Sequence, residues 1–343
     1  MRVMVISPVF GGAHPIASNA QRALTRLGHD ALLVDLRSFQ SRYHELRQSA
    51  ETDEAAGVEF YEEVEVHLNR LVDEHTPGLV LAMALAPLKQ QFLAELRSRG
   101  IVSASWFVED CRRFPMWQWQ ASWFDHFFVI QEQPIIEEVK QVGARNVWYL
   151  PNAGDVQLAS EVPLSEQERS HFGTDICFMG APYPNRVELF SKLGGFSVGL
   201  WGKGWSDHEV TLSGMVREGS RLVSPEEESK IYRASKILIN LHSSAGDDST
   251  QLNDFLNPRT FTAALCGVFQ LIDERTLLPQ AFDIGPEVVT FSGTEDLCEK
   301  LTYFSSHSDE REACVRAARV RALREHTYEV RMAQALSMMG LSD

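Results

Sequence analysis

Apolar residues in this chain fall in short continuous runs, separated by segments with the 3.6-residue spacing of helices, and the alternation persists through both halves. In the first half, residues 2–7, 31–36, 79–83, 101–108, 127–130 and 147–150 read as buried strands. Between them 15–27, 51–75, 87–99 and 134–142 read as helices, the second long, acidic and closed by Pro77-Gly78. Strands that are apolar throughout and separated by helices imply a parallel sheet covered on both faces.

The pattern breaks at Pro151-Asn152-Ala153-Gly154-Asp155, and a polar stretch, 160–174, follows without a clear strand; the interdomain linker is placed here. A second series then runs through strands at 175–179, 197–201, 236–241, 268–272 and 287–291. Its helices are 186–193, 225–234 and 260–266, and a helical tail follows at 297–304, 309–324 and 328–338. The expected divisions are a domain over 1–155, a second over 170–325 and a closing helix over 326–343. The fold class is α/β: two Rossmann-like, doubly wound domains facing across a cleft, with a helical C-terminal tail. Ligands of such sheets lie outside the C-terminal strand ends, against helix N-termini.

Composition narrows the partners. At 343 residues the chain has room for two full cores, and its 44% hydrophobic content is that of a globular protein. No apolar run reaches about 18 residues, so no transmembrane segment is expected, and the strand-like N-terminus does not read as a signal peptide. A cytoplasmic location is expected. Cys111, Cys177, Cys266, Cys298 and Cys314 lack CxxC spacing and read as reduced thiols, with no zinc motif. A net charge of −15 disfavours nucleic acid as a partner. A nucleotide remains possible, because a few local cations and a helix N-terminus suffice to hold one.

The most informative stretch is Asn257–Asp273, NPRTFTAALCGVFQLID, preceded by IYRASKILINLH at 231–242. Together they read as helix, buried strand, polar loop, helix and strand, with Gly267 ending the second helix. The loop 243–259 and the helix start at Thr260 stand where a sheet of this kind binds ligands. Asn257, Arg259, Thr260 and Thr262 suit a phosphate or ribose, or Asn257 and Thr260 simply cap the helix. GAPYPNR brings Arg186 to a helix start, and WGKGW sets Lys203 between two glycines, so both cations are favoured as phosphate ligands.

In the first half, the turn SPVFGGAHP places Gly11 and Gly12 between a strand and a helix, where a ligand can approach the backbone. The pattern is not GxGxxG, so a redox dinucleotide is weakly supported. The fourth strand ends in WFVEDCRRFPMWQWQ, delivering Glu109 and Asp110 as candidates for a general base or a sugar-hydroxyl ligand; Asp110 alternatively caps the turn. Trp106, Trp117, Trp119 and Trp123 read mainly as packing residues, with one or two reaching a ligand.

In WFVEDC, FDHFFVIQ, GARNVWYLPNAGD, DICFMGAPYPNR, LWGKGW, IYRASKILINLH, NPRTFTAALCGVFQLID and REHTYEVRMAQAL the chain resembles the CgeB-like (spore-maturation-type) glycosyltransferases of the GT-B fold. The likeness runs from about residue 100 to the end and is weaker before that. It implies an acceptor-side N-terminal domain and a C-terminal domain that holds a nucleotide-sugar donor. It also implies sugar transfer to a hydroxyl of a glycan, a protein such as flagellin or a small molecule, with no cofactor and no metal. Arg186 and Lys203 match the positions that stabilise the leaving diphosphate. The sequence departs from the family at Thr262, where related enzymes carry a ribose-gripping glutamate after the phenylalanine of RxF. A hydroxyl accepts less than a carboxylate does, which leaves a non-catalytic GT-B-like binding or scaffold protein as the alternative. A sugar-nucleotide epimerase is a third reading.

Overall fold

The computed structural model describes residues 1–212, 214–243 and 253–342. The chain forms two compact units, one of Met1–Pro151 with the segment from Tyr328 onward, the other Asn152–Thr327.

The first unit is built on six parallel strands: β1 (Arg2–Ile6), β2 (Asp30–Val34), β3 (Leu79–Met83), β4 (Val102–Phe107), β5 (His126–Val129) and β6 (Asn146–Tyr149). Their order is β2-β1-β3-β4-β5-β6. Val3 to Ile6 and all of β3 are buried, as expected where helices cover both faces. Val3 lies opposite both Ala31 and Leu79, so β1 is central. The chain moves from β1 to β2 on one side and returns to β3 on the other. The C-terminal ends of β1 and β3 therefore form a topological switch point, and the glycine turn after β1 stands there.

The helix His14–Arg26 buries Ile16, Ala17, Ala20, Ala23 and Leu24 on this sheet. Against it packs the helix Tyr328–Met338, inserting Tyr328, Met332, Ala335 and Leu336, with Arg26 paired to Glu329. Tyr328 meets the fully buried Trp106 edge-on at 6.2 Å.

Sequence periodicity missed four of the described α-helices, of which Trp117–Gln120 and Leu278–Ala281 are single turns. Gln40–Ser49 is helical although only Leu46 in it is buried, so its apolar stripe is too narrow to register. It packs on the long helix Asp53–His75, with Arg42 bonding Glu59 and Glu63. Inside the polar stretch 160–174 lies the helix Glu166–Phe172, started by a reciprocal capping box of Ser165 and Glu168. The Ser-x-x-Glu spelling of that box was readable from the residues alone.

The second unit carries five parallel strands: β7 (Ile176–Met179), β8 (Val198–Trp201), β9 (Ile237–Asn240), β10 (Phe269–Asp273) and β11 (Val289–Phe291), in the order β11-β10-β9-β7-β8. Its switch point falls between β7 and β9. Phe178, Phe190, Leu200, Trp205, Ile239 and Leu271 form one side of the core, while Cys177, Trp201, Tyr232, Leu238 and Cys266 form the other. No helix among the described residues is long and apolar enough to cross a membrane.

Candidate functional site

The helix Pro258–Cys266 begins beside the β7–β9 switch point. Proline early in the helix presets φ and lacks the N–H that would be orphaned there. The Asn257 side chain accepts the Thr260 N–H at 3.0 Å, and its amide donates to Asn240 Oδ1 at 3.0 Å. Asn240 in turn donates to the Thr260 hydroxyl at 3.0 Å and to Gln270 Oε1 at 3.2 Å. Asn240, Thr260 and Gln270 are buried, so the Thr260 hydroxyl is held within the protein. Gly267 ends the helix at φ +81°. Of the expected ligand loop 243–259, residues 244–252 lie outside the described residues.

At the end of β9, His242 fixes this helix start. Its Nε2 accepts the Asn257 N–H at 3.0 Å, and its Nδ1 faces Asp273 Oδ1 at 2.7 Å. Asp273 also receives the His242 backbone N–H at 3.1 Å and pairs with Arg275. Burial pushes the imidazole down to about 4, outweighing the pull of Asp273. A neutral ring protonated on Nδ1 satisfies both bonds. His242 was overlooked from sequence, where it merely follows an apolar strand.

Two guanidinium groups converge on Phe178. Arg186 is buried; its Nη2 donates to Leu241 O at 3.0 Å and its Nη1 to Ala181 O at 2.9 Å, tying the turn after β7 to the end of β9. Arg259, half-buried, donates to Asn240 Oδ1 at 3.2 Å. Their guanidinium carbons lie 5.1 and 4.9 Å from the Phe178 ring centre. Both press on Gly180, where an added Cβ would stand 2.7 Å from Arg259 Nη2 and 3.2 Å from Arg186 Nη1. Among the described residues, no carboxylate lies within ion-pair distance of Arg259, and its backbone N–H, in the first helical turn, has no protein acceptor.

Lys203 is exposed, and no ion pair engages it among the described residues. It rides between Gly202 at φ +124° and Gly204 at φ +102°. Gly202 abuts the Gly180 carbonyl, which also accepts the Trp205 indole N–H at 2.7 Å. Gly180, Gly202, Arg186 and Arg259 therefore form one junction. Thr262 is buried one turn further along the helix from Arg259.

In the first unit, Gly11, at φ +96°, and Gly12 are exposed in the turn after β1. The two adjacent carboxylates after β4 are chemically distinct. Asp110 Oδ1 accepts from Gln131 Nε2 and from the Arg112 backbone N–H, each at 3.0 Å. Gln131 also accepts the Cys111 N–H at 2.9 Å, so Asp110 is built into the turn. Glu109 is half-buried with no hydrogen-bond partner among the described residues; burial pushes its carboxyl up, against the opposing pull of Arg113. Of the tryptophans here, Trp106 and Trp117 are buried and Trp119 is 53% exposed.

Two parallel-sheet Rossmann-like units define a GT-B glycosyltransferase fold. Sucrose-phosphate synthase of Thermosynechococcus elongatus superposes with a TM-score of 0.67 at 10% identity, covering 99% of this chain and 98% of the other. HepE of Anabaena, in complex with UDP and glucose, superposes with a TM-score of 0.66 at 11% identity over 99% of each chain. Residues 186–337 match the family described as glycosyl transferase-like. The chain is also 25% identical over 256 residues to the spore protein CgeB of Bacillus subtilis, covering 72% of this chain and 78% of that one. The resemblance to CgeB-like GT-B glycosyltransferases carried by the sequence motifs therefore holds.

Proposed function

We propose that this protein transfers a sugar from a nucleotide-sugar donor to a hydroxyl acceptor, with no metal at the leaving group. The observation that carries this reading is the junction at the β7–β9 switch point. There two guanidinium groups and the open N–H of Arg259 meet at a glycine-lined turn. Preorganised donors of this kind stabilise charge developing on a departing diphosphate. Arg259 and Lys203 are the direct ligands, and Arg186 holds the turn between them. Asn257 and Thr260 shape the helix start. Gly11 and Gly12 leave backbone open to the acceptor, and Glu109 is the general base toward its hydroxyl, with Asp110 fixing the turn.

HepE is described with UDP and glucose, which makes UDP and UDP-glucose the first probes to try. Titration calorimetry with UDP, GDP and ADP tests binding; product analysis with the matching nucleotide sugar and candidate glycan, flagellin or small-molecule acceptors tests transfer. Absence of binding by all three nucleotides overturns the reading. Binding without turnover on any acceptor favours a non-catalytic scaffold, and donor conversion without acceptor favours an epimerase.

A further inference from the structure

Thr262 leaves the first turns of the Pro258–Cys266 helix without a carboxylate, yet one reaches the same helix face from a neighbouring element. The helix Pro225–Ala234 packs against Pro258–Cys266. It is held in register by a Ser224–Glu227 capping box and by Ser229 Oγ donating to Leu158 O at 2.9 Å, the carbonyl that Cys266 Sγ also approaches at 3.5 Å. Residues 259, 262 and 266 share one face of their helix by i, i+3, i+7 spacing.

Glu228, between Glu227 and Ser229, lies in the first turn of that neighbouring helix. Its carboxylate attracts Arg259 at one end of the stripe and acts on the Cys266 thiol at the other. Thr262 lies between them. The fully buried Tyr232 donates its hydroxyl to Glu228 Oε1 at 2.6 Å, fixing the carboxylate. Burial pushes the Glu228 carboxyl up, although the residue keeps accessible surface.

We infer that Glu228 is the ribose-reading residue of the site, accepting hydrogen bonds from the vicinal hydroxyls of a nucleoside diphosphate whose phosphates lie at Arg259. The inference rests on the donor-site reading above. Three residues of helix separate Arg259 from Thr262, roughly 4.5 Å at ~1.5 Å per residue, a span suited to a ribose next to its phosphate. Oε2 and the remaining lone pairs of Oε1 are the acceptors, because Tyr232 uses one position only. The carboxylate lost at position 262 is supplied across the helix pair.

Calorimetry with UDP, 2′-deoxy-UDP and 3′-deoxy-UDP on wild type, Glu228→Gln and Glu228→Ala tests this, with GDP and ADP ribose/deoxyribose pairs if UDP is not the ligand. Wild type is expected to bind the ribonucleotide about tenfold more tightly than its deoxy forms. The Gln variant, whose side-chain oxygen still accepts from Tyr232, is expected to fold with an unchanged Tm and to lose most of that preference. Retained tenfold preference in both variants, or no preference in wild type, overturns the role of Glu228 and leaves the donor site standing. Failure of every nucleotide to bind wild type overturns both.

Discussion

The ring of His242 joins two parts of the second unit: Nε2 accepts the N–H of Asn257 at 3.0 Å while Nδ1 lies 2.7 Å from Asp273. A residue just beyond β9 thereby holds the cap, fifteen positions later, of the helix Pro258–Cys266.

Stability should depend on this ring staying neutral. Its folded value, about 4, lies below the ordinary 6.5, so its contribution is complete above about pH 6.5 and fades as pH falls toward 4. The neighbouring Asp273 carboxyl is also depressed, by His242 and Arg275 against the effect of its own burial, and extends the loss to lower pH. His242→Gln keeps one donor and one acceptor without titrating. It should retain most stability at pH 7 and flatten the fall in Tm between pH 6.5 and 4.5. His242→Phe removes the acceptor of the Asn257 N–H and the side-chain donor to Asp273 Oδ1, and should cost about 3 kcal/mol in urea unfolding.

Glu109→Gln should lower transfer by about 10²- to 10⁴-fold while nucleotide affinity stays unchanged. Because burial raises the Glu109 carboxyl and a base must be ionised, the wild-type rate should climb with pH through a value above the usual 4.5. Asp110→Asn keeps an acceptor for Arg112 and should lower stability by about 1 kcal/mol. Steady-state pH profiles and thermal melts separate the two residues.

Lys203 and Arg186 should differ in what their loss does to stability. Lys203→Ala should leave Tm unchanged and weaken nucleoside diphosphate binding about tenfold. Arg186→Ala removes a buried group donating to Ala181 and Leu241, and should lower stability by about 3 kcal/mol as well as binding. Paired calorimetry and denaturant melts check both.

Gly202→Ala should be poorly tolerated, since its φ of +124° is strained for alanine and the new Cβ would lie 2.5 Å from the Gly180 carbonyl oxygen. A loss of about 2–4 kcal/mol is expected in urea unfolding. Gly12→Ala, with nothing within 4 Å of the added Cβ, should melt within a degree of wild type.

Legibility from sequence followed the size of the hydrophobic signal. β3 (Leu79–Met83) is apolar and buried at every position, and its limits are those expected from the run alone. The helix Gln40–Ser49 buries only Leu46 and left no such trace. At the candidate site, Arg186 and Lys203 were visible as cations after strands and Arg259 as one at a helix start, because chemistry and position coincide there. That Arg186 is spent largely on backbone carbonyls depends on the β7–β9 neighbour relation, which no local pattern encodes. Glu228 was hidden in Pro225-Glu226-Glu227-Glu228, a run that reads as a solvated helix start; only the buried Tyr232 distinguishes one glutamate from the next.

The helix Tyr328–Met338 completes the hydrophobic surface of the first unit around Trp106 and the helix His14–Arg26. During synthesis, β1 and its neighbours therefore wait for residues 328–338 before their core can close. The second unit, contiguous in sequence, is free to fold in the interval. A nonsense mutation shortly after Thr327 would spare every residue of the proposed donor site and still leave the first unit partly folded.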